Sequence, residues 1–484
     1  MKKNDSKVAK KVISSMLKIA VKEKPVLFFS YFLTFVVDLL RKVQVIIVPK
    51  FLIDELVMIY NGSDVMLHVK KAALYTIITL VLQFCAGIIE HISNRIKSNI
   101  NEWFNLYFEV KTNEHVMTID FEQTEDPEVL DKVHKAKEGI SWYSGNVCGI
   151  LDQLFKIIDN AVILFGVITV IAISSPLIIP IEIVSLSLVA IFNNKINKIE
   201  IESFNRIAKS NRVFGYIFWE LSDFSFGKDI RMYESYDLFD KRANEQLDKQ
   251  VKVWNFQAEG TKKQQYVINI IDAVTNGGTY FYIGLKAIKR LISIGDFSML
   301  VSSSSTLTTC CQSIVRAIQE IQKRVTYAEQ YFTFMECPAT MEKGTSEVQK
   351  KDEHIIEFKN VSFKYPRTDN FILENVNITI PSGQHLAVVG LNGAGKTTFI
   401  KLLCRLYDVT SGEILIDGQN IKNYSDEEYK KLFAVVFQDF KLFAFTLKEN
   451  ISFDLDSDDE SIISVLKESG LYDDVQKMWN NLKI

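Results

Sequence analysis

Long apolar stretches without charged side chains dominate residues 25–320, and they predict membrane-spanning helices. Two of them, 72–89 and 297–315, carry no charge and approach the length that a helix needs to cross a bilayer. A third stretch begins at Ala161 and is too long for one span, so we place a tight turn at Ser174-Ser175-Pro176. The pattern predicts six spans, near residues 25–57, 71–92, 148–174, 176–196, 264–287 and 295–318.

Lys and Arg are distributed unevenly between the segments that join these spans. Segments 95–147 and 195–263 are rich in both, whereas 58–69 and the turn at 174–176 contain neither. The positive-inside rule therefore places the two long segments and the lysine-rich N-terminus in the cytoplasm of a multi-pass protein of the cell membrane. A basic cluster within 286–290 falls in a predicted outer loop and breaks the pattern.

Ionisable and hydroxyl side chains also occur within the predicted spans. Asp38, Arg41 and Lys42 lie at i, i+3 and i+4, so they share one helix face and can pair. Charge at membrane depth suggests a transport pathway, but a self-neutralised pair inside the bundle fits equally well. The sixth span carries hydroxyls that either pack helices together or line a wet cavity: Ser302, Ser303, Ser304, Ser305, Thr306, Thr308 and Thr309.

Residues 354–484 show the mixed pattern of a soluble α/β domain. They follow a polar segment, 336–353, which contains Pro and Gly and is typical of a linker. Alternating apolar positions within 361–365 and 376–380 predict two half-buried strands.

Further elements are predicted later in the same domain. The run Ile414–Ile416 predicts a strand that enters a hairpin through Asp417-Gly418. The solid apolar run 433–437 is suited to a central strand. Ser457 and Glu460 fit a capping box that opens a helix.

One stretch of this domain carries the clearest chemistry. It fits the pattern G-x-x-x-x-G-K-[ST], in which glycines let backbone N–H groups turn inward around phosphate oxygens. An apolar run at 386–389 predicts a strand before it, and apolar positions at helical spacing predict a helix after it. The matching residues are Gly390, Leu391, Asn392, Gly393, Ala394, Gly395, Lys396, Thr397 and Thr398.

Each part of this P-loop has a task in binding a nucleotide. The helix that begins there points its positive end at the phosphates. Lys396 can reach the β and γ phosphates, and the Thr397 hydroxyl can ligate Mg²⁺. The sequence therefore predicts a membrane protein with a nucleotide-binding domain.

Composition excludes some other functions. The net charge of -3 argues against a nucleic-acid-binding protein, which would be basic. The 6 cysteines show no C-x-x-C spacing, so neither a zinc site nor a disulfide framework is predicted.

The order of Tyr365, the P-loop at 390–398 and the segment Val436-Phe437-Gln438-Asp439 resembles an ATP-binding cassette. With six predicted spans ahead of it, the chain is similar to the exporter-type half-transporters of the ABC family, which carry permease and cassette on one chain. The resemblance implies that ATP and Mg²⁺ are the cofactors. It implies that Tyr365 stacks on the adenine, and that Gln438 touches Mg²⁺ and the attacking water.

Breaks in the two long cytoplasmic segments fit the same resemblance. Short cross-helices are predicted near 119–128, with Phe121, and near 220–229, with Phe224. A soluble helical insertion is the alternative, but we favour docking onto the cassette, because the family's coupling helices occur at such breaks. The resemblance also implies a second half-transporter chain as partner, identical or related, and an unknown transported substrate.

These observations predict a membrane α-helical six-span bundle with long cytoplasmic helices, followed by a partial α/β P-loop nucleotide-binding domain. Residues 1–335 form the predicted permease, 336–353 the linker, and 354–484 the N-terminal part of the nucleotide-binding domain.

The sequence departs from the family pattern after Gln438. No LSGGQ-type signature, no hydrophobic strand ending in Asp-Glu and no later histidine follows, His385 being the last. Ser382-Gly383-Gln384 precedes the P-loop, and 51–55 lies in the first span, so neither replaces a missing motif. We therefore expect a cassette that is cut short, with its ATPase activity left open. Two functions fit, an ABC exporter subunit or a non-hydrolysing ATP-binding membrane protein, whereas a membrane-tethered P-loop kinase fits poorly.

Overall fold

The computed structural model describes residues 3–62, 64–141, 146–218, 226–342, 344–348, 351, 353–438, 440–454 and 456–477. It divides the chain into two compact units, Met1–Ala339 and Thr340–Ile484. The first unit is built from helices. The second combines a small sheet with short helices.

Six long helices of the first unit contain the six predicted spans. In chain order the helices are α1 (Lys3–Glu23), α2 (Val26–Tyr60), α3 (Val65–Thr118), α4 (Phe121–Thr124), α5 (Pro127–Gly139), α6 (Val147–Ser174), α7 (Ile178–Phe218), α8 (Gly227–Met232), α9 (Tyr236–Ile288) and α10 (Ile294–Met335). The predicted spans fall on α2, α3, α6, α7, α9 and α10, although the first and the fourth begin one and two residues before their helices. The predicted turn is confirmed, since α6 ends at Ser174 and α7 begins at Ile178.

Three segments are long and apolar enough to cross a membrane by length and composition. They are Val65–Thr118, Val147–Ser174 and Ile178–Ser203, within the described residues. At about 1.5 Å per residue, the 54 residues of α3 exceed the roughly 30 Å hydrocarbon core of a bilayer. The helical, membrane-type character of this unit is confirmed, whereas the count of six spans stays a prediction.

Two apolar clusters hold the helices of this unit together. One joins α1, α2, α3, α5, α6 and α10 and is rich in aromatic side chains, among them Phe104, Phe108, Tyr331 and Phe334. The other packs Ile163, Val167 and Ile171 of α6 against Ile283, Leu300 and Leu307. Many apolar side chains on the outer surfaces stay exposed, as lipid-facing positions require.

The basic residues of α2 form ion pairs with acids of neighbouring helices, and not with Asp38 of the same helix as predicted. Arg41 lies 2.5 Å from Glu90 of α3, and Lys42 lies 3.0 Å from Asp159 of α6. The predicted partner, Asp38, forms no ion pair within the described residues. The physical reason is that pairing within one helix would leave the acids of α3 and α6 without a base, which is costly inside a bundle.

A short helix occupies the first predicted cytoplasmic break. Helix α3 ends at Thr118, α4 follows at Phe121–Thr124, and α5 begins at Pro127. The amide of Gln123 in α4 donates to the Pro338 carbonyl at 2.8 Å, which ties the break to the end of the first unit. At the second break, α8 begins at Gly227, whereas Phe224 lies outside the described residues.

The second unit contains a 4-stranded antiparallel sheet in the order β2-β1-β3-β4. Its elements are β1 (Ile356–Phe363), β2 (Leu373–Ile380), α11 (Lys396–Leu403), β3 (Ser411–Ile416), β4 (Gln419–Asn420), α12 (Asp426–Lys430), α13 (Leu447–Ser452), α14 (Asp459–Glu468) and α15 (Tyr472–Lys477), with a 3-10 turn at Ile421–Asn423. The hairpin at Asp417-Gly418 is confirmed, because both residues have positive φ, 53° and 79°.

Two predicted strands of this unit do not form, and one predicted cap is displaced. Residues 386–389 and 433–437 are irregular, and Val389 and Val436 are each 87% exposed. A buried parallel strand needs neighbours along both edges, and the described residues supply none beside these runs. The cap of α14 is Asp458, whose carboxylate accepts from the Ser461 N–H at 2.7 Å, rather than Ser457.

Candidate nucleotide-binding site

The P-loop of the second unit leads directly into α11, as the motif requires. Gly395 precedes the helix with φ 83°, and Gly393 has φ 85°, both in the left-handed region that favours glycine. A Cβ atom added at Gly395 would also lie 2.9 Å from Cδ2 of Leu373. Both glycines are therefore required by the shape of the loop.

The side chain of Lys396 folds back against this loop. Its Nζ donates to the carbonyl oxygens of Gly390 and Leu391, each at 2.8 Å. The N–H of Ala394 donates to the Leu391 carbonyl at 3.1 Å and closes the turn. The ammonium group is thereby held against the loop backbone, where a phosphate group can exchange with the carbonyl oxygens as its partner.

The first turn of α11 presents polar groups beside the loop. Backbone N–H groups of a first turn have no partner inside the helix, which suits anion binding. Thr397 is exposed, so its hydroxyl is accessible to a metal ion, whereas Thr398 is buried. Phe399 stacks on Phe358 of β1 with ring centroids 4.4 Å apart, and this contact fixes the helix on the sheet.

The structure brings Tyr365 to the P-loop helix. Its hydroxyl lies 3.0 Å from Oγ1 of Thr398. Its ring meets Phe363 and Tyr407 edge-on, at centroid distances of 5.1 and 5.3 Å. Nζ of Lys401 lies 5.9 Å from the ring centroid. The half-buried ring is held beside the loop, and its stacking on adenine stays a prediction.

Gln438 is exposed in the irregular segment 433–438. In the described part of the second unit, no hydrogen bond links it to the loop at 390–398, and the neighbouring Asp439 lies outside that part. Its contact with Mg²⁺ and water stays a prediction. The structure thus joins Tyr365 to the P-loop by a direct contact and does not do so for Gln438.

A buried arginine near the site was not predicted from the sequence. Arg405, just after α11, has a side chain only 1% exposed, and Nη1 lies 3.1 Å from Oδ1 of Asp426 in α12. It also donates to the carbonyl oxygens of Tyr424 and Glu342. Arg405 braces the end of the P-loop helix. The feature of the sequence that could have indicated a paired arginine is Asp408, an acid three residues after Arg405.

The loop as described fits a nucleotide with Mg²⁺. Its left-handed glycines open the backbone, the ammonium of Lys396 supplies positive charge, and the accessible Thr397 hydroxyl supplies an oxygen donor, which Mg²⁺ prefers.

Comparison with known proteins agrees with this site. Residues 373–482 match the ABC transporter family. The subtilin transport ATP-binding protein SpaT of Bacillus subtilis is 30% identical over 375 residues, covering 74% of this chain and 59% of that protein. The nisin transport ATP-binding protein NisT of Lactococcus lactis subsp. lactis is 32% identical over 211 residues, covering 43% and 34%.

A lipid A-core flippase and a solved structure are also similar. The ATP-dependent lipid A-core flippase of Pseudoalteromonas translucida is 31% identical over 221 residues, covering 45% of this chain and 37% of that protein. A bacterial Atm1-family ABC exporter with ATP bound has the same fold, with a TM-score of 0.78 and 16% identity over 96% of this chain and 80% of that one.

The second unit carries a segment that matches the ABC transporter family, and the chain has the fold of the ABC exporter to which it is similar. The chain spans about three fifths or less of the length of the curated relatives it matches.

Proposed function

We propose that this chain is a half-transporter subunit that couples ATP binding to the export of a substrate across a membrane. The observation that carries the proposal is the P-loop geometry at Lys396, at the start of α11, in a chain whose other unit is a bundle of long apolar helices. In this proposal, residues 1–335 are the permease, 336–353 the linker and 354–484 the nucleotide-binding part.

Each site residue has a proposed role in holding ATP. Lys396 exchanges its loop carbonyl partners for β and γ phosphate oxygens, and the amides of the first turn of α11 bind the same group. Tyr365 supports the adenine, while Thr397 and Gln438 hold Mg²⁺. Mg²⁺ held there would neutralise charge on the phosphates, the chemistry that favours transfer of the γ-phosphoryl group to water with ADP as the leaving group.

Location and partner follow from the same proposal. The Lys and Arg asymmetry places the N-terminus and the nucleotide-binding part in the cytoplasm. A second half-transporter chain, identical or related, completes the transporter, as is typical of such proteins. Phe121 in α4 is the proposed docking residue toward the nucleotide-binding part, since α4 lies at the break that follows the long helix α3.

Nucleotide binding by the full chain tests this function. A fluorescent ATP analogue with Mg²⁺ is titrated into the purified chain in lipid nanodiscs. We expect Lys396→Ala to weaken binding at least about tenfold, because charge-assisted bonds to the phosphates are lost. Lys431→Ala is the matched control, since that lysine is exposed and pairs with acids of α12. Equal affinity of the wild-type and Lys396→Ala chains would overturn the proposal.

A further inference from the structure

A fully buried acid lies in the first unit. Glu182 in α7 is 0% exposed. Its two carboxylate oxygens accept hydrogen bonds from Ser304 at 3.1 Å and from Thr308 at 2.9 Å, both in α10. Two hydroxyls of the predicted sixth span therefore contact an acid, a relationship that the sequence pattern did not indicate.

Two further bonds connect α9 to the same place. Thr275 of α9 donates to Ser185 of α7 at 3.0 Å. Gln312 of α10 donates to both oxygens of Asp272 of α9, at 3.0 and 3.1 Å. Every pair among these three helices is thus linked by side chains. We refer to this set as the polar layer: Glu182, Ser185, Asp272, Thr275, Ser304, Thr308 and Gln312.

The polar layer holds two carboxylates whose partners here are neutral. Elsewhere in the first unit, Glu90, Asp159 and Asp296 each pair with a basic side chain. Among the described residues, neither Glu182 nor Asp272 does so. Hydroxyl and amide donors orient a carboxyl group but supply no positive charge, and an ionisable residue at membrane depth marks a functional site.

A second observation points to a ligand at this level. Thr279 of α9 is 0% exposed, and its Oγ1 has no hydrogen-bond partner within the described residues. It follows Thr275 by one helical turn, on the face of α9 that carries Asp272. An oxygen that is buried without a partner is an acceptor still available to a donating group.

An apolar groove of about 720 Å³ reaches the polar layer from outside. It runs between α7 and α9, and the hydroxyls of Ser185 and Thr275 lie in its wall. The rest of the wall is largely aliphatic, including Leu177, Ile181, Val184, Leu188, Ile270 and Val274. Ser185, three residues after Glu182 in α7, thus belongs both to the groove wall and to the polar layer.

We propose that the polar layer recognises the cationic group of an amphiphilic cargo, whose apolar part lies in the groove. This rests on the proposed export function and names its substrate class, an amphiphile with an ammonium or guanidinium group. Such a group donates several hydrogen bonds and supplies the positive charge that Glu182 and Asp272 lack. The aliphatic wall binds the hydrocarbon part by burying it.

The test uses the full chain in nanodiscs of uncharged phosphatidylcholine. Saturable binding of radiolabelled dodecylammonium is measured, with empty nanodiscs as background and dodecanol as an uncharged competitor of the same chain length. We expect Glu182→Gln to weaken binding at least about tenfold, since a charged hydrogen-bonded pair is lost. The matched control is Glu90→Gln, which removes an acid paired with Arg41, and its binding should equal that of the wild type.

Several results would overturn the inference. Unchanged dodecylammonium binding by Glu182→Gln is one such result. If the variant does not fold, the wild-type chain still decides, because dodecanol that competes as well as dodecylammonium contradicts cation recognition. The ATP analogue is titrated into the same samples. Intact nucleotide binding without cation binding rejects this inference alone, whereas lost nucleotide binding rejects the proposed function.

Discussion

The hydroxyl of Tyr365 lies 3.0 Å from Oγ1 of Thr398, so the chain just after β1 is joined directly to the first turn of the P-loop helix. Thr398 is 5% exposed, which shields the bond from water. The two residues are far apart in sequence, and both belong to the site predicted to hold ATP. The position of the aromatic ring is therefore set by the helix that begins at Lys396.

The hydroxyl and the ring of Tyr365 can be tested separately. Tyr365→Phe loses the bond to Thr398 but keeps the ring, whereas Tyr365→Ala loses both. We expect affinity for the fluorescent ATP analogue to fall less than about threefold for Phe and about tenfold for Ala, because stacking supplies more than one hydrogen bond at a partly exposed site. Wild-type affinity in the Ala variant would show that the ring does not support the adenine.

Arg405 is expected to brace the P-loop helix. Its guanidinium lies 3.1 Å from Asp426, and Arg405→Met would leave that acid with the exposed Lys430 as its basic partner. Because Asp426 is partly exposed, we expect a cost of about 2 kcal/mol, or about thirtyfold faster amide exchange in α11 and α12 of the full chain. Lys430→Met, which removes an exposed partner of the same acid, should leave exchange nearly unchanged. Equal exchange rates in both variants would contradict this role.

The hairpin between β3 and β4 should respond to acid. Burial raises the pKa of Asp417, but the Ile355 N–H at 2.9 Å and the His354 ring at 2.8 Å outweigh it and hold the pKa below its ordinary value. Because the pKa of Asp417 is lower in the folded state, its carboxylate stabilises the fold fully at pH values above its ordinary pKa of about 4. This stabilisation is lost as the pH falls through the lowered pKa.

Amide protection factors of the hairpin, measured in the full chain between about pH 6 and pH 3, test this response. We expect protection to fall at the acid end in the wild type and to vary less in Asp417→Asn, which keeps the left-handed turn but cannot titrate. The same acid sensitivity in both chains would mean that another group is responsible.

The ion pair of Arg41 and Glu90 predicts non-additive substitutions. Arg41→Met and Glu90→Met each leave one charge unpaired between α2 and α3, so each should lower the unfolding temperature of the chain in nanodiscs. The double variant should be destabilised by less than the sum of the two single effects, with a coupling free energy of at least about 1 kcal/mol. Asp38→Asn combined with Arg41→Met should be closer to additive. Additive effects for the first pair would contradict the observed pairing.

Local chemistry made the helix breaks and the hairpin predictable. Ser174-Ser175-Pro176 ends one helix and starts the next, and Asp417-Gly418 adopts the positive φ angles that a tight hairpin needs. The P-loop glycines are predictable in the same way, because glycine adopts the left-handed conformation without steric cost. These features depend on a few neighbouring positions.

Features that depend on distant residues could not be predicted in the same way. The runs 386–389 and 433–437 have strand-like composition but lack pairing neighbours among the described residues. Arg41 forms an ion pair with an acid of another helix, and Glu182 accepts hydrogen bonds from hydroxyls more than a hundred positions later in the chain. Periodicity reports which face of a helix is apolar, not which helix will lie against it.

The central claim is that the P-loop at Lys396 holds ATP on the cytoplasmic side of the membrane. Photolabelling with azido-ATP and Mg²⁺ tests it directly, in inside-out vesicles and in intact cells that contain the full chain. The account predicts labelling in inside-out vesicles only, on a peptide that includes Tyr365, with loss of labelling in excess ATP and in Lys396→Ala. Labelling of intact cells, or equal labelling of the wild-type and Lys396→Ala chains, would contradict it.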